Sequence, residues 1–162
     1  MRHTISALVE NKPGVLVRIA GLFSRRGFNI ESLAVGPTEK PNISRMTIVV
    51  DVADRPLEQV TKQLYKLINV IKVSDLKQDE AVDRELALFK VSAAPDKRAE
   101  IIEIVDIFRA KIIDATRKEL IIECTGTEDK IEAIENMLKP YGIREMSRTG
   151  KIALARGGHK TE

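Results

Sequence analysis

Two kinds of apolar pattern alternate along this chain: short strand-like runs and stripes at helical spacing. In the first half, residues 3–10 read as a strand, and Asn11-Lys12-Pro13-Gly14 as a turn into a helix. Leu16, Ile19, Ala20 and Phe23 then fall at i, i+3, i+4 and i+7, the spacing of one helical face. Arg25-Arg26 followed by Gly27 is a helix stop, with cations in the last turn and glycine beyond it. Residues 29–35 and 46–52 read as two strands, separated by a loop marked by Gly36-Pro37 and Lys40-Pro41-Asn42. Asp54-Arg55-Pro56 is a helix start, with a capping Asp and Pro in the first turn. Leu57, Val60, Leu64, Leu67 and Ile68 make the stripe of that helix, and residues 70–76 give a fourth strand.

The second half repeats the order. Residues 86–93 read as a strand, and Asp96 as the cap of a helix facing inward through Ile101, Ile104, Val105 and Phe108. Strands follow at 111–115 and 119–125. Thr127-Glu128-Asp129 opens a helix bearing Ile131, Ile134 and Leu138. Residues 143–146 and 152–154 supply a last strand interrupted at Gly150. The fold class is therefore α+β, two consecutive ferredoxin-like βαββαβ modules. The expected division is a first module at 1–77, a polar linker at 78–83 and a second module at 84–162. Such a module covers one sheet face with its helices. Leu8, Leu33 and Val49 are expected on the other face, which predicts pairing between modules or between copies of the chain.

Composition narrows the possibilities. With 162 residues and 43% hydrophobic positions, the chain can bury real cores. A net charge of +3, with both signs interspersed, is weak ground for a nucleic-acid partner. The basic excess concentrates late, at Lys139, Arg144, Arg148, Lys151, Arg156 and Lys160 against Glu145 and Glu162. It could dock an acidic surface or stay solvated. The single cysteine, Cys124, sits in an apolar run and reads as a buried thiol in a reducing, cytoplasmic setting. No signal-peptide-like segment and no apolar run of membrane-spanning length is present, so no membrane role is expected.

Catalytic constellations are missing. His3 and His159 lie near opposite termini, and no metal-ligand cluster, phosphate loop or triad emerges. Of the few aromatic residues only Phe89 is clearly in a strand, so a base-stacking RNA platform is not expected. The informative stretch is Glu10 to Leu16, followed by Asn29-Ile30 after the helix. Free N–H groups at the helix start, together with the helix dipole, attract a carboxylate, and Gly14 leaves the backbone approachable. Asn11 and Asn29 offer uncharged acceptors for an ammonium group, while Leu16 and Ile30 offer apolar surface. The set suits a small aliphatic amino acid. By spacing alone, the ordinary structural roles, Asn11 as a helix cap and Gly14 as a first-turn residue, are the stronger reading.

The run LVENKPGVLVRIAGLFSRRGFNIESL closely resembles the opening of ACT domains, amino-acid-sensing modules with this same element order. Continued through GPTEKPNISRMTIVV, and matched again at FRAKIIDAT, GTEDKIEAI and SRTGKIALARG, it resembles the small regulatory subunits of acetolactate synthase. That resemblance implies a non-catalytic chain that activates a large catalytic subunit and confers feedback inhibition by valine or a related branched-chain amino acid. It implies that two copies pair through the first module, an ACT domain, with the amino acid at the seam. Asn11, Gly14, Val15 and Leu16 would line one side, and Asn29 and Ile30 the partner side. Thiamine diphosphate, FAD and magnesium would belong to the catalytic subunit, with no cofactor in this chain. Arg45 would either touch that subunit or stand as an exposed strand-end charge. A transcriptional amino-acid sensor and a small free-standing enzyme are the rival classes, without a helix-turn-helix or a catalytic site to support them.

Overall fold

The computed structural model describes residues 2–52 and 57–158. The elements, in order, are β1 (Arg2–Glu10), α1 (Val15–Arg25), β2 (Asn29–Pro37), β3 (Ile43–Asp51), α2 (Leu57–Tyr65), β4 (Val70–Leu76), β5 (Ala81–Ser92), α3 (Arg98–Ile107), β6 (Lys111–Ala115), β7 (Glu119–Gly126), α4 (Glu128–Leu138), β8 (Ile143–Arg148) and β9 (Ile152–Ala155). The chain divides into two compact units, residues 84–150 and the remainder. The fold is two ferredoxin-like βαββαβ modules, as the patterning predicts.

In the first unit the sheet order is β2-β3-β1-β4, with every pairing antiparallel. Ile5, Ala7 and Val9 of β1 and Met46, Ile48 and Val50 of β3 meet the helices in one buried cluster. Helix α1 enters it through Val15, Ile19, Leu22 and Phe23. The predicted stripe began instead at Leu16, which is 45% exposed while Val15 is 5% exposed. The helix starts at Val15 with that side chain packed on the sheet, and this turns Leu16 outward. Its stop is as expected: Gly27 adopts φ +72, and the Phe28 N–H donates to Phe23 O. In α2, Val60 and Leu64 are buried, but the helix ends at Tyr65, so Ile68 falls in a turn and is 92% exposed. The Tyr65 hydroxyl donates to Val73 O and accepts from Val73 N, pinning that helix end to β4. The helix start expected at Asp54-Arg55-Pro56 lies outside the described residues.

The open sheet face departs from expectation at Leu33. An irregularity between Ile30 and Ser32 shifts the register of β2 against β3, which lets Ile30 and Leu33 both pack on the core. The face opposite the helices, expected to be open, carries Leu8, Val49 and several small or hydroxylated residues, among them Ser6, Thr47 and Ser74; of these Ser6, Thr47 and Val49 are buried. Arg45 does not precede β3 but lies within it, and its Nη1 donates to Ser6 Oγ at 2.7 Å.

The second unit has the order β6-β7-β5-β8, the same pattern. Phe89 and Val91 of β5, Ile101 and Val105 of α3, Ile122 and Cys124 of β7, and Ile131 and Ile134 of α4 share its core. Phe89 is wholly buried there, so it offers no surface for a base to stack on. Burial also pushes the Cys124 thiol above its ordinary pKa. Thr127 caps α4, its hydroxyl accepting from Lys130 N. Asp96 does not cap α3. The cap position is Lys97, without a side-chain bond, because the Lys97 and Arg98 amides already turn onto Ala94 O.

The stretch read as a linker carries structure. Only residues 78–80 form a turn, and β5 begins at Ala81. The interruption at Gly150, φ +78, separates two strands, β8 and β9. Residues 151–158 group with the first unit, where Ala153 packs with Leu76 and Ala81. Among the described residues no helix is long and apolar enough to cross a membrane.

Candidate functional site

The segment between β1 and α1 is built around one backbone conformation. Gly14 is the N-cap of α1 with φ +84, in the left-handed region, and a Cβ there would meet nothing within 4 Å. The glycine therefore answers to backbone conformation, not to crowding, and it stands before the first helical turn, not within it. Its carbonyl accepts from Arg18 N at 3.1 Å, and Val15 N reaches Lys12 O at 3.4 Å. Among the described residues, the Leu16 and Val17 amides have no acceptor. These are the first-turn donors that a helix leaves for an anion. Asn11 does not cap the helix with its side chain. Its amide donates to Asn42 O at 2.8 Å, and the residue is exposed.

The six predicted residues sort by position. Asn11, Gly14, Val15 and Leu16 are together in this loop and the helix start. Val15 points its side chain into the core, so only its backbone faces the loop. Leu16 and Val17 present exposed apolar surface at the helix start. Asn29 and Ile30 are elsewhere. Asn29 is registered with Asp51, which is registered with Arg2, whereas Glu10 is registered with Ile43. The two groups are thus at opposite ends of the sheet, eight steps of β1 apart, roughly 27 Å at about 3.4 Å per residue. One chain does not bring them together.

Charges flank the loop. Lys12 Nζ lies 2.6 Å from Glu10 Oε2. The Lys12 hydrogen bond and charge hold the Glu10 carboxyl below its ordinary pKa, with a smaller contribution from Asn69. Arg18 Nη1 donates to Asn69 Oδ1 at 2.9 Å, and Glu10 N donates to Asn69 O at 2.9 Å. Arg18 and Asn69 were not marked by the sequence, since a lone helix arginine and a turn asparagine carry no pattern of their own.

The second module lacks such a loop. Its counterpart, Ala94-Pro95-Asp96-Lys97, has no left-handed residue, and Glu100 occupies the first turn of α3. An open depression of about 700 Å³ borders it, lined by Pro95, Arg98, Ala115, Thr116 and Arg117. The Arg98 guanidinium there is committed to Ala93 O and Thr116 O. The late basic residues are partly spent as well. Arg148 pairs with Glu85, which is 6% exposed, Arg144 Nε donates to Ser92 Oγ, and Lys139 Nζ donates to Asn136 Oδ1. His3 stands 3.7 Å from Asp75 at the sheet edge, and His159 and Lys160 lie outside the described residues.

Comparison with known proteins joins these features. Residues 5–72 match the model of the AHAS small subunit-like ACT domain, and residues 84–157 match that of the small subunit of acetolactate synthase. A probable acetolactate synthase small subunit of Archaeoglobus fulgidus is 58% identical over 160 residues, 99% of this chain and 100% of that protein. The acetolactate synthase small subunit of Mycolicibacterium smegmatis is 59% identical over 155 residues, 96% of this chain and 91% of that one. Among solved structures, the acetolactate synthase small subunit of Thermotoga maritima superposes with a TM-score of 0.89 at 47% identity, covering 96% of this chain and 98% of that one.

Proposed function

Because the chain belongs to the family of acetolactate synthase small subunits, we propose that it activates a large catalytic subunit and makes it sensitive to valine or a related branched-chain amino acid. The catalytic partner, with its thiamine diphosphate, FAD and magnesium, condenses 2-oxo acids in the cytoplasm. This chain contributes no reacting group. It binds the end product and biases the assembly.

One observation carries the ligand reading: the two halves of the candidate site stand at opposite ends of one sheet, beside a strand with a free edge. Among the described residues, strand β2 pairs only with β3 and is the outer strand of its sheet. A second copy paired antiparallel along β2 sets its own Asn29 beside the first copy's Pro37, the end where the Asn11–Gly14 loop lies. A two-fold dimer thus completes two equivalent sites, each with a loop from one chain and Asn29-Ile30 from the other. The Leu16 and Val17 amides take the ligand carboxylate. Asn11 of one copy and Asn29 of the other accept from its ammonium group. Leu16 and Ile30 enclose a short aliphatic side chain.

Inhibition follows if the two chains hold the ligand better in one relative arrangement than in another. A differential affinity of about 1–3 kcal/mol, typical of allosteric coupling, is sufficient. The test is a calorimetric titration of the purified chain with valine, leucine and isoleucine, together with assay of the reconstituted holoenzyme. Saturable binding of one of them, and loss of holoenzyme activity over the same concentration range, is expected. A chain that binds none of the three, or that leaves the large subunit's rate unchanged, overturns the reading.

A further inference from the structure

The candidate loop is held from both sides by a residue outside it. Asn69 sits in the turn between α2 and β4, at the end of the sheet where β1 finishes. Its backbone carbonyl accepts from Glu10 N at 2.9 Å, immediately before the loop. Its side-chain oxygen accepts from Arg18 Nη1 at 2.9 Å, one turn into the helix that the loop opens. The Glu10 carboxylate beside it pairs with Lys12 Nζ at 2.6 Å. The result is a chain of alternating partners, Lys12 to Glu10 to Asn69 to Arg18. It spans the loop from its first shoulder to its second.

We propose that Asn69 is a positioning residue for the amino-acid site, fixing the separation between Glu10 and Arg18 and with it the aim of the Leu16 and Val17 amides. An asparagine suits the place because its side-chain oxygen is an uncharged acceptor for the guanidinium. Aspartate would keep that bond but set a second carboxylate near Glu10. Alanine would lose the side-chain bond and keep only the backbone carbonyl. A glycine at position 14 restrains the backbone less than any other residue would, and among the described residues Asn11 is held through its backbone N–H, so a brace from outside the loop adds to its order. This role rests on the reading of the loop as the ligand site, but the brace itself is measurable without ligand.

The experiment uses the full-length chain with Asn69→Ala, and separately with Arg18→Ala, which removes one arm from an exposed helix position. Hydrogen exchange at the Asn11 and Lys12 amides is followed alongside the melting temperature and the valine titration. In both variants the expected result is faster exchange confined to the loop and an unchanged melting temperature within a few degrees. Valine affinity should fall by about tenfold, equivalent to about 1.4 kcal/mol. In an Arg18→Ala background, Asn69→Ala should have little further effect on exchange or affinity, because its side-chain partner is gone. Loop exchange unchanged from the parent in either folded single variant overturns the proposal. So does an undiminished effect of Asn69→Ala in that background. A parent chain that binds no branched-chain amino acid counts against the ligand reading alone, and the exchange data still decide the role of Asn69.

Discussion

Gly14 caps the start of α1 and Asn29 opens β2 beyond that helix's stop, so the helix between them holds the two apart. At eleven residues the helix is about 16 Å long, too long for one small zwitterion to touch both ends. In the proposed reading this separation makes the site a property of two chains, and complementation tests it. Neither Gly14→Asp nor Asn29→Asp homodimers should bind valine. A mixed dimer of the two holds one intact pairing, the Gly14 loop of one chain with the Asn29 of the other. It should bind about one valine per dimer. Mixed dimers as inert as their parents would place the site within a single chain.

The choice of residue at position 14 separates backbone conformation from charge. An L-residue in the left-handed region costs roughly 1–2 kcal/mol, less for Asn and Asp than for most. Gly14→Asn and Gly14→Asp should therefore melt at similar temperatures, both somewhat below the parent. Only the aspartate should abolish valine binding, because it sets a carboxylate where the ligand's own belongs. Equal affinity in the two variants, read by calorimetry, would count against carboxylate capture at this helix start.

Equilibrium dialysis of the full-length dimer should saturate near one valine per chain. The second module supplies no matching loop: Lys97 at its helix start is in an ordinary helical conformation, and Asp96 and Glu100 flank it. Both carboxylates repel a third. Saturation well above one per chain would mean that the second unit binds as well.

Supplied with thiamine diphosphate, FAD, magnesium and pyruvate, the purified chain should form no acetolactate, and turnover should appear only with the large subunit added. Turnover by preparations free of that subunit would place chemistry in this chain.

The Glu10 carboxyl should titrate below the ordinary carboxylate range when followed by NMR, because Lys12 favours its charged form. A lowered folded pKa stabilises the fold above the unfolded value, and that contribution is lost as the pH falls through the folded one. Lys12→Met should move the titration up toward the ordinary value and shrink that acid-side loss. The pair is solvent-exposed, so high salt should have the same effect in the parent. A Glu10 titration that Lys12→Met leaves in place would assign the shift to another cause.

Much of this protein was legible in one dimension because periodicity reports which side of an element is buried. The helical stripe at Ile131, Ile134 and Leu138, the stop at Gly27 and the cap at Thr127 all rest on interactions within a few residues. The doubled element order, and through it the fold class, follows from such local signals. Tertiary structure decided what depends on distant neighbours. Packing against the sheet turned Val15 inward and Leu16 outward, a choice that the two adjacent apolar side chains left open. The irregularity near Glu31 set Leu33 on the core side against simple alternation. Asn69 meets Glu10 and Arg18 only because the turn after α2 reaches the end of β1, and a hydrogen bond across 51 residues leaves no pattern in sequence. Asn29, expected on the partner side of a seam between copies, lies at the far end of the sheet from its own chain's loop, because α1 carries the chain back before β2 begins parallel to β1. Local energetics wrote the elements, and the long-range register of three strands placed the two halves of the site at opposite ends.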